Sequence, residues 1–182
     1  MAKSGGGGFG KLLLGFLLGI VAVVVVGFAY LQFGALPVAV ADKAFPLEAQ
    51  LVKVPLKARI TKEKKEPPFG TSEDVFEGGA KVYRKECASC HGVPGKDVES
   101  SKYMYPDAPQ LWKKHRNGVV GVSDDEAGET YWRVSNGIRL TGMPAYSKVL
   151  SDTEMWQVSL LLKNADKDLP DPVKQILTGP AQ

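Results

Sequence analysis

The sequence predicts an all-α protein: one long apolar helix near the N-terminus, then a small helical domain around a tight cysteine–histidine cluster. Three observations carry this. From Leu12 to Phe33 there are 22 residues without a charge. Beyond residue 71 apolar residues recur at helical spacing and no stretch alternates as a half-buried strand would. The two cysteines of the chain sit together in Cys87-Ala88-Ser89-Cys90-His91, which excludes a disulfide framework.

The chain has 182 residues. With a membrane segment set aside, one domain of about 100 residues remains. A core that small is commonly helped by a cofactor. The net charge of +3 is too weak to argue for nucleic acid. No basic stripe with interleaved aromatics, phosphate-cradling glycine loop or internal repeat is found. The charge is uneven, however. Residues 1–41 hold two lysines and no acids, residues 42–69 hold seven basic and four acidic side chains, and residues 70–182 hold 14 basic and 16 acidic. The excess positive charge thus lies beside the apolar segment. The Lys62–Lys65 cluster is either simply solvated or in contact with anionic headgroups.

The first element, residues 1–11, is a short cytoplasmic lead-in, with glycines from Ser4 to Gly10 giving flexibility. Residues 12–33 form the second, a transmembrane anchor. As a helix they would span about 33 Å, close to the hydrocarbon thickness. No polar face exists, so an interfacial helix is not expected. A signal peptide competes with the anchor, since Ala39-Val40-Ala41 before Asp42 resembles a small-residue cleavage site, but its apolar region would normally be shorter. In either case Lys3 and Lys11 stay inside and the rest is exported.

Residues 34–70 read as an extended tether. Val52, Val54, Leu56, Ala58 and Ile60 alternate with Lys53, Pro55, Lys57 and Arg59, a period of two. Pro55 excludes a central strand. The apolar face suggests a segment lying against the following domain or a partner membrane protein, with Glu63–Pro68 a solvated spacer.

Residues 71–165 form the helical domain. Its first helix is expected over Glu73–Glu86, with Thr71 and Asp74 spaced as a capping box and Ser72 as a second cap candidate. A short helix after Pro109 would carry Leu111 and Trp112 and end at Asn117-Gly118. A third starts near Asp124, where its acidic first turn suits the helix dipole, and ends before Asn136-Gly137. The last covers about Asp152–Asn164, capped by Ser151 or Asp152. Trp112, Trp132 and Trp156 read as core residues. The tail, residues 166–182, reads as a surface or disordered segment.

The chemistry lies in Cys87-Ala88-Ser89-Cys90-His91. Two thiols one helical turn apart match the two vinyl groups on one porphyrin edge, and the adjoining imidazole can reach the iron. A redox dithiol would need a thioredoxin-like βαβ context, and zinc about four ligands. One covalent haem c is therefore expected, attached at Cys87 and Cys90, with His91 as proximal ligand. Met143 is the expected sixth ligand, because Gly142 and Pro144 suit a loop that points a thioether inward. Met104 follows His91 closely, and Met155 reads as core. His115 would give bis-histidine ligation, and a vacant position would mean ligand chemistry. Arg133 and Arg139 are candidates for the haem propionates.

With these residues in place, positions 72–165 resemble a class I cytochrome c. The resemblance implies that Gly79 and Tyr83 mark where the first helix crosses the last, with Trp156 and Leu160 on the partner face. It also implies that Thr141-Gly142-Met143-Pro144 is the methionine-ligand loop. A proline carbonyl is expected to accept a hydrogen bond from the proximal histidine, and Pro94 is the nearest candidate. A His/Met-ligated haem has no open position for substrate, so an electron carrier is expected rather than an enzyme. It would serve redox partner proteins of a membrane electron-transfer chain, on the periplasmic side of a bacterial inner membrane. A subunit held within a larger respiratory or photosynthetic complex is the alternative. A haem enzyme or gas sensor would require a displaceable sixth ligand.

Overall fold

The structure is a computed structural model, and it describes residues 7–115 and 117–180. It divides into two compact units, separated between Ala44 and Phe45. The expected helical class holds: no strand forms among the described residues.

The first unit is dominated by α1 (Gly7–Phe33), which over Gly8–Phe33 is long enough, and at a mean hydropathy of 2.9 over 18 residues apolar enough, to cross a membrane. It begins at Gly7, ahead of the expected Leu12, so part of the glycine-rich lead-in is helical. Residues 1–6 lie outside the described residues.

The second unit corrects the tether. Residues Glu48–Glu63 form a helix, α2, not an extended strand. The alternation misled because it is short. Wrapped on a helix, Leu56 and Ile60 share one face while Val54 and Ala58 fall on the opposite one. Pro55 withholds one backbone donor, a cost of about 3 kcal/mol in an unsupported helix, and docking offsets it. Ile60 is only 3% exposed.

Beyond Ile60 the contacts are polar. Trp132 Nε1 donates to Glu63 Oε2 at 2.9 Å, and the Arg59 guanidinium lies 5.9 Å from the Trp132 ring centre. Lys64 pairs with Glu126 at 2.6 Å. Gly128 has no side chain to obstruct the Lys65 carbonyl, which comes into close approach there. The Glu63–Pro68 run is thus partly a docked strap and not a solvated spacer.

Helix α3 (Glu73–Val82) is capped by Ser72, whose hydroxyl accepts from Val75 N at 3.4 Å; the Thr71–Asp74 box is not the cap used. The helical path then continues through one π-turn, Tyr83–Cys87, into α4 (Ala88–His91). The short helix expected after Pro109 is absent: Leu111 and Trp112 sit in a turn, and Arg116 lies outside the described residues. Helix α5 covers Ala127–Asn136, leaving the acidic Asp124–Glu126 ahead of it. Helix α6 (Asp152–Lys163) has a full Ser151–Glu154 capping box. The tail is also corrected. It contains α7 (Asp171–Thr178), which packs on α3 with Val173 and Leu177 fully buried. Arg84 Nη2 fastens its end by donating to the Gly179 carbonyl at 2.8 Å.

The core forms where α3 crosses α6. The Gln157 carbonyl approaches Gly79 so closely that a Cβ there would overlap it, and the same Cβ would stand 3.0 Å from Leu161 Cβ. The crossing inferred for Gly79 is therefore present, with Gln157 and Leu161 the residues that meet it. Trp156 stacks on Tyr131 of α5 at 4.1 Å, joining the third helix to the pair.

Three outcomes follow from this packing. Leu177→Ala should lower unfolding free energy by about 2–4 kcal/mol in denaturant titrations, whereas a surface tail would register nothing. Gly79→Leu should cost about 1–3 kcal/mol or more through overpacking. Glu63 is held below the usual carboxylate range, first by the Trp132 hydrogen bond and then by Arg59. Its contribution to α2 docking is present above the unfolded pKa and lost as pH falls through the lower folded value. Hydrogen exchange of residues 59–65, corrected for intrinsic rate, should accelerate below pH 4.5, and Trp132→Phe should cause the same loosening at neutral pH.

Candidate cofactor-binding site

Cys87, Cys90 and His91 lie on the last turns of the helical path that begins at α3. The α3–α6 crossing therefore sets their position. Two hydrogen bonds fix the exit. Tyr83, fully buried and edge-on to Trp112 at 5.6 Å, donates its hydroxyl proton to the Gly92 carbonyl at 2.7 Å. Leu111 N donates to the His91 carbonyl at 3.1 Å. Gly92 has φ 73°, and a Cβ there would meet Gln110 Oε1 and the Lys96 carbonyl, each at 2.7 Å. Only glycine suits that turn.

His91 Nδ1 lies 2.7 Å from the Pro109 carbonyl. Because a carbonyl can only accept, Nδ1 carries the proton and Nε2 keeps its lone pair. Pro109, and not Pro94, thus provides the proline carbonyl expected beside the histidine. Burial pushes the His91 pKa down, the hydrogen bond to Pro109 only partly opposing it, so the ring is held neutral. Cys87 is pushed up to about 12, first by burial and then by the charges of Glu86 and Cys90. A reactive thiol needs the reverse shift, so Cys87 is unsuited to be the attacking thiol of an exchange.

These residues open into one cavity of about 320 Å³. Cys87, Cys90, His91 and Met143 all line it, with apolar walls that include Leu111, Val134 and Leu162. The two thiols, the neutral imidazole, the thioether and the apolar walls fit a haem c. Met104 lines the same cavity. Its methyl group touches the Met143 loop, where a Cβ on Gly142 would come within 2.5 Å. The sequence alone, judging by spacing from His91, gave no reason to expect it there. Met155 is buried in the core and His115 is exposed; neither lines the cavity.

The methionine loop hangs from the end of α5. Gly137, at φ 66°, closes the helix, and a Cβ there would meet the Met143 carbonyl and Ala145 N within 2.8 Å. The Thr141 hydroxyl donates to the Ile138 carbonyl at 2.7 Å and accepts from Met143 N at 3.1 Å. Tyr146 then ties the loop to the opposite wall, donating to the Glu86 carbonyl at 2.9 Å. Tyr146 and Gln110 are positioning residues with no recognisable signal in the sequence, because they donate to remote main-chain carbonyls, those of Glu86 and Cys90; Thr141 positions Met143 from within the loop itself. Gly137 was recognisable as a helix terminator but not as a spacer for the loop.

The polar part of the wall is confined. Arg133 lines the cavity and pairs with Asp125 at 2.9 Å and Glu129 at 3.4 Å. Asp125 is raised by burial, with Arg133 opposing. Arg139 is exposed and does not line the cavity.

A helical domain closed around this cavity, with a Cys-x-x-Cys-His turn facing a methionine loop, defines a c-type cytochrome. In agreement, the family model described as cytochrome c oxidase, cbb3-type, subunit III matches residues 74–160. The chain carries a class I c-type cytochrome domain, and its chemistry is haem-based electron transfer. No curated protein matches the chain.

The loop supports can be ranked. Tyr146→Phe should cost about 0.5–1.5 kcal/mol, one hydrogen bond. Gly137→Val combines a left-handed backbone with a close approach and should cost more, about 2 kcal/mol or above. Thermal unfolding of the two variants side by side would test the order.

Proposed function

We propose that this protein carries single electrons through one covalently held haem c, at the outer face of a cytoplasmic membrane. Cys87 and Cys90 would hold the group by thioethers, and His91 and Met143 would take its two axial positions. Once bound, the haem supplies a reversible one-electron couple. The chain's own residues do the rest. The Pro109 carbonyl keeps the His91 ring in the tautomer that presents Nε2. Thr141, Gly137 and Tyr146 hold the loop that carries Met143. The apolar walls would exclude water, so little would rearrange when charge is gained or lost, and with His91 and Met143 both holding the group no place would remain for a substrate. The observation that carries this reading is the convergence of Cys87, Cys90, His91 and Met143 on one apolar cavity.

A second reading, a fixed subunit of a larger membrane complex, is favoured by the folding of α2. Only residues 34–47 separate α1 from α2, a link of at most about 50 Å when fully stretched. Such a link suits a carrier serving a partner in its own membrane more than a wide-ranging shuttle. The matched family is itself described as an oxidase subunit. Co-purification of a haem-containing membrane complex with the tagged chain would support this reading, and isolation of the chain alone from gently solubilised membranes would count against it.

Optical spectra test the ligands. The oxidised protein should show a far-red sulfur-to-iron band, and the reduced protein should not bind carbon monoxide. Met143→Ala should abolish the band and admit carbon monoxide, whereas Met104→Ala should leave both properties unchanged. Loss of the band in Met104→Ala alone would transfer the axial role to Met104. Ready carbon monoxide binding by the unsubstituted protein would replace the carrier reading with catalysis or gas sensing.

A further inference from the structure

Helix α2 is apolar on two opposite faces, and the domain covers one of them toward its C-terminal end, where Leu56 is half-buried and Ile60 buried while Val52 on the same face stays 60% exposed. Leu56 and Ile60 point toward the body of the unit, and Ile60 is buried there. On the reverse side Leu51, Val54 and Ala58 form a stripe at helical spacing. Leu51 is 68% and Val54 70% exposed, and Leu47, just ahead of the helix, is 66% exposed. This is not the scattered exposure expected of a solvated surface, because the residues are consecutive on one stripe.

Two further observations identify what covers it. Lys57 and Lys62 fall on the two flanks of the stripe and are exposed, and neither joins an ion pair among the described residues. An apolar stripe bordered by long cationic side chains suits the boundary between acyl chains and anionic headgroups, where the stems lie along the apolar layer and the ammonium groups reach phosphate. The stripe also begins within the 14-residue link from the end of α1, so a bilayer holding α1 is within reach.

We infer that the outward face of α2 (Leu51, Val54 and Ala58, flanked by Lys57 and Lys62) lies on the surface of an anionic bilayer. The inference rests on the reading of α1 as a membrane anchor. The helix then has two partners. Its Leu56–Ile60 face and the Glu63–Lys65 strap belong to the haem domain, and its opposite face belongs to the lipid. The orientation of the haem domain is thereby set by a rigid element and not by a swinging chain.

Nitroxide labels on the full-length haem-loaded protein in vesicles would test this, with the unsubstituted chain as the labelling blank. Val54→Cys, Leu17→Cys in α1 and Ser100→Cys on an exposed turn are compared. One set of vesicles contains equal parts phosphatidylcholine and phosphatidylglycerol, the other phosphatidylcholine alone. Expected is a severalfold higher ratio of oxygen to nickel-chelate accessibility at Val54 than at Ser100 in the anionic vesicles. That ratio should fall in neutral vesicles or with Lys57→Glu and Lys62→Glu together. A water-exposed Val54 with Leu17 in lipid would overturn the inference while leaving the anchor intact, and would assign the stripe to a protein partner. A water-exposed Leu17 would overturn the anchor reading and the inference with it. Equal burial of Val54 in both lipids, unaffected by the lysine changes, would refute the role of charge.

Discussion

The site depends first on how closely two backbones can approach. At Gly79 the main chain of α6 enters space that any side chain would fill. That contact fixes the axis of α3, and α3 is mechanically continuous with the cysteine–histidine turn. A single π-turn at Tyr83–Cys87 inserts extra backbone just before the first cysteine, a feature often found at functional sites. The positions of Cys87, Cys90 and His91 are thus inherited from a helix crossing two to three turns away. Tyr83 reinforces this link, since its ring packs in the core and its hydroxyl reaches the carbonyl of Gly92.

The opposite wall is built differently. Met143 stands on no helix, and its placement comes from a short loop over-determined by local bonds. Gly137 brings the loop against the end of α5, Thr141 bonds it in two directions, and Tyr146 joins it to Glu86 on the other wall. One side of the cavity is therefore set by global packing and the other by a compact loop. Changes to the loop can alter the methionine side without disturbing the attachment side. Met104 occupies the intermediate position, on a separate segment but in contact with the same loop.

The sequence exposed those parts that depend on local chemistry. Cys-x-x-Cys-His, a helix start at Ser151 or Asp152 and the Asn136-Gly137 stop each act within a few residues, and each was recognisable. Gly79 was recognisable only through resemblance, because nothing local distinguishes a crossing glycine from a weak helix position. Pro109 lies 18 residues from His91, and adjacency in the chain pointed to Pro94 instead. The tail was misjudged because its prolines suggested irregularity, although a proline near the start of a helix is well tolerated. The Arg84–Gly179 bond and the burial of Leu177 are tertiary facts.

The misreading of residues 52–60 is the most informative. A nine-residue alternation satisfies a strand, but it equally describes a helix with apolar residues on two sides. A helix with a single partner has little use for that pattern, because one face would remain exposed to water. A helix between two partners requires it. The strap of Arg59, Glu63, Lys64 and Lys65 on α5 supplies the first partner, through contacts that are mostly polar and specific in geometry. The remaining stripe, apolar and bordered by lysines, is the face inferred above to lie on the bilayer. The element that reads as a loose tether in the sequence is thus a folded part of the second unit. Within that unit it is joined to α5, which contributes Arg133 and Val134 to the cavity wall, through the Trp132–Glu63 and Lys64–Glu126 contacts.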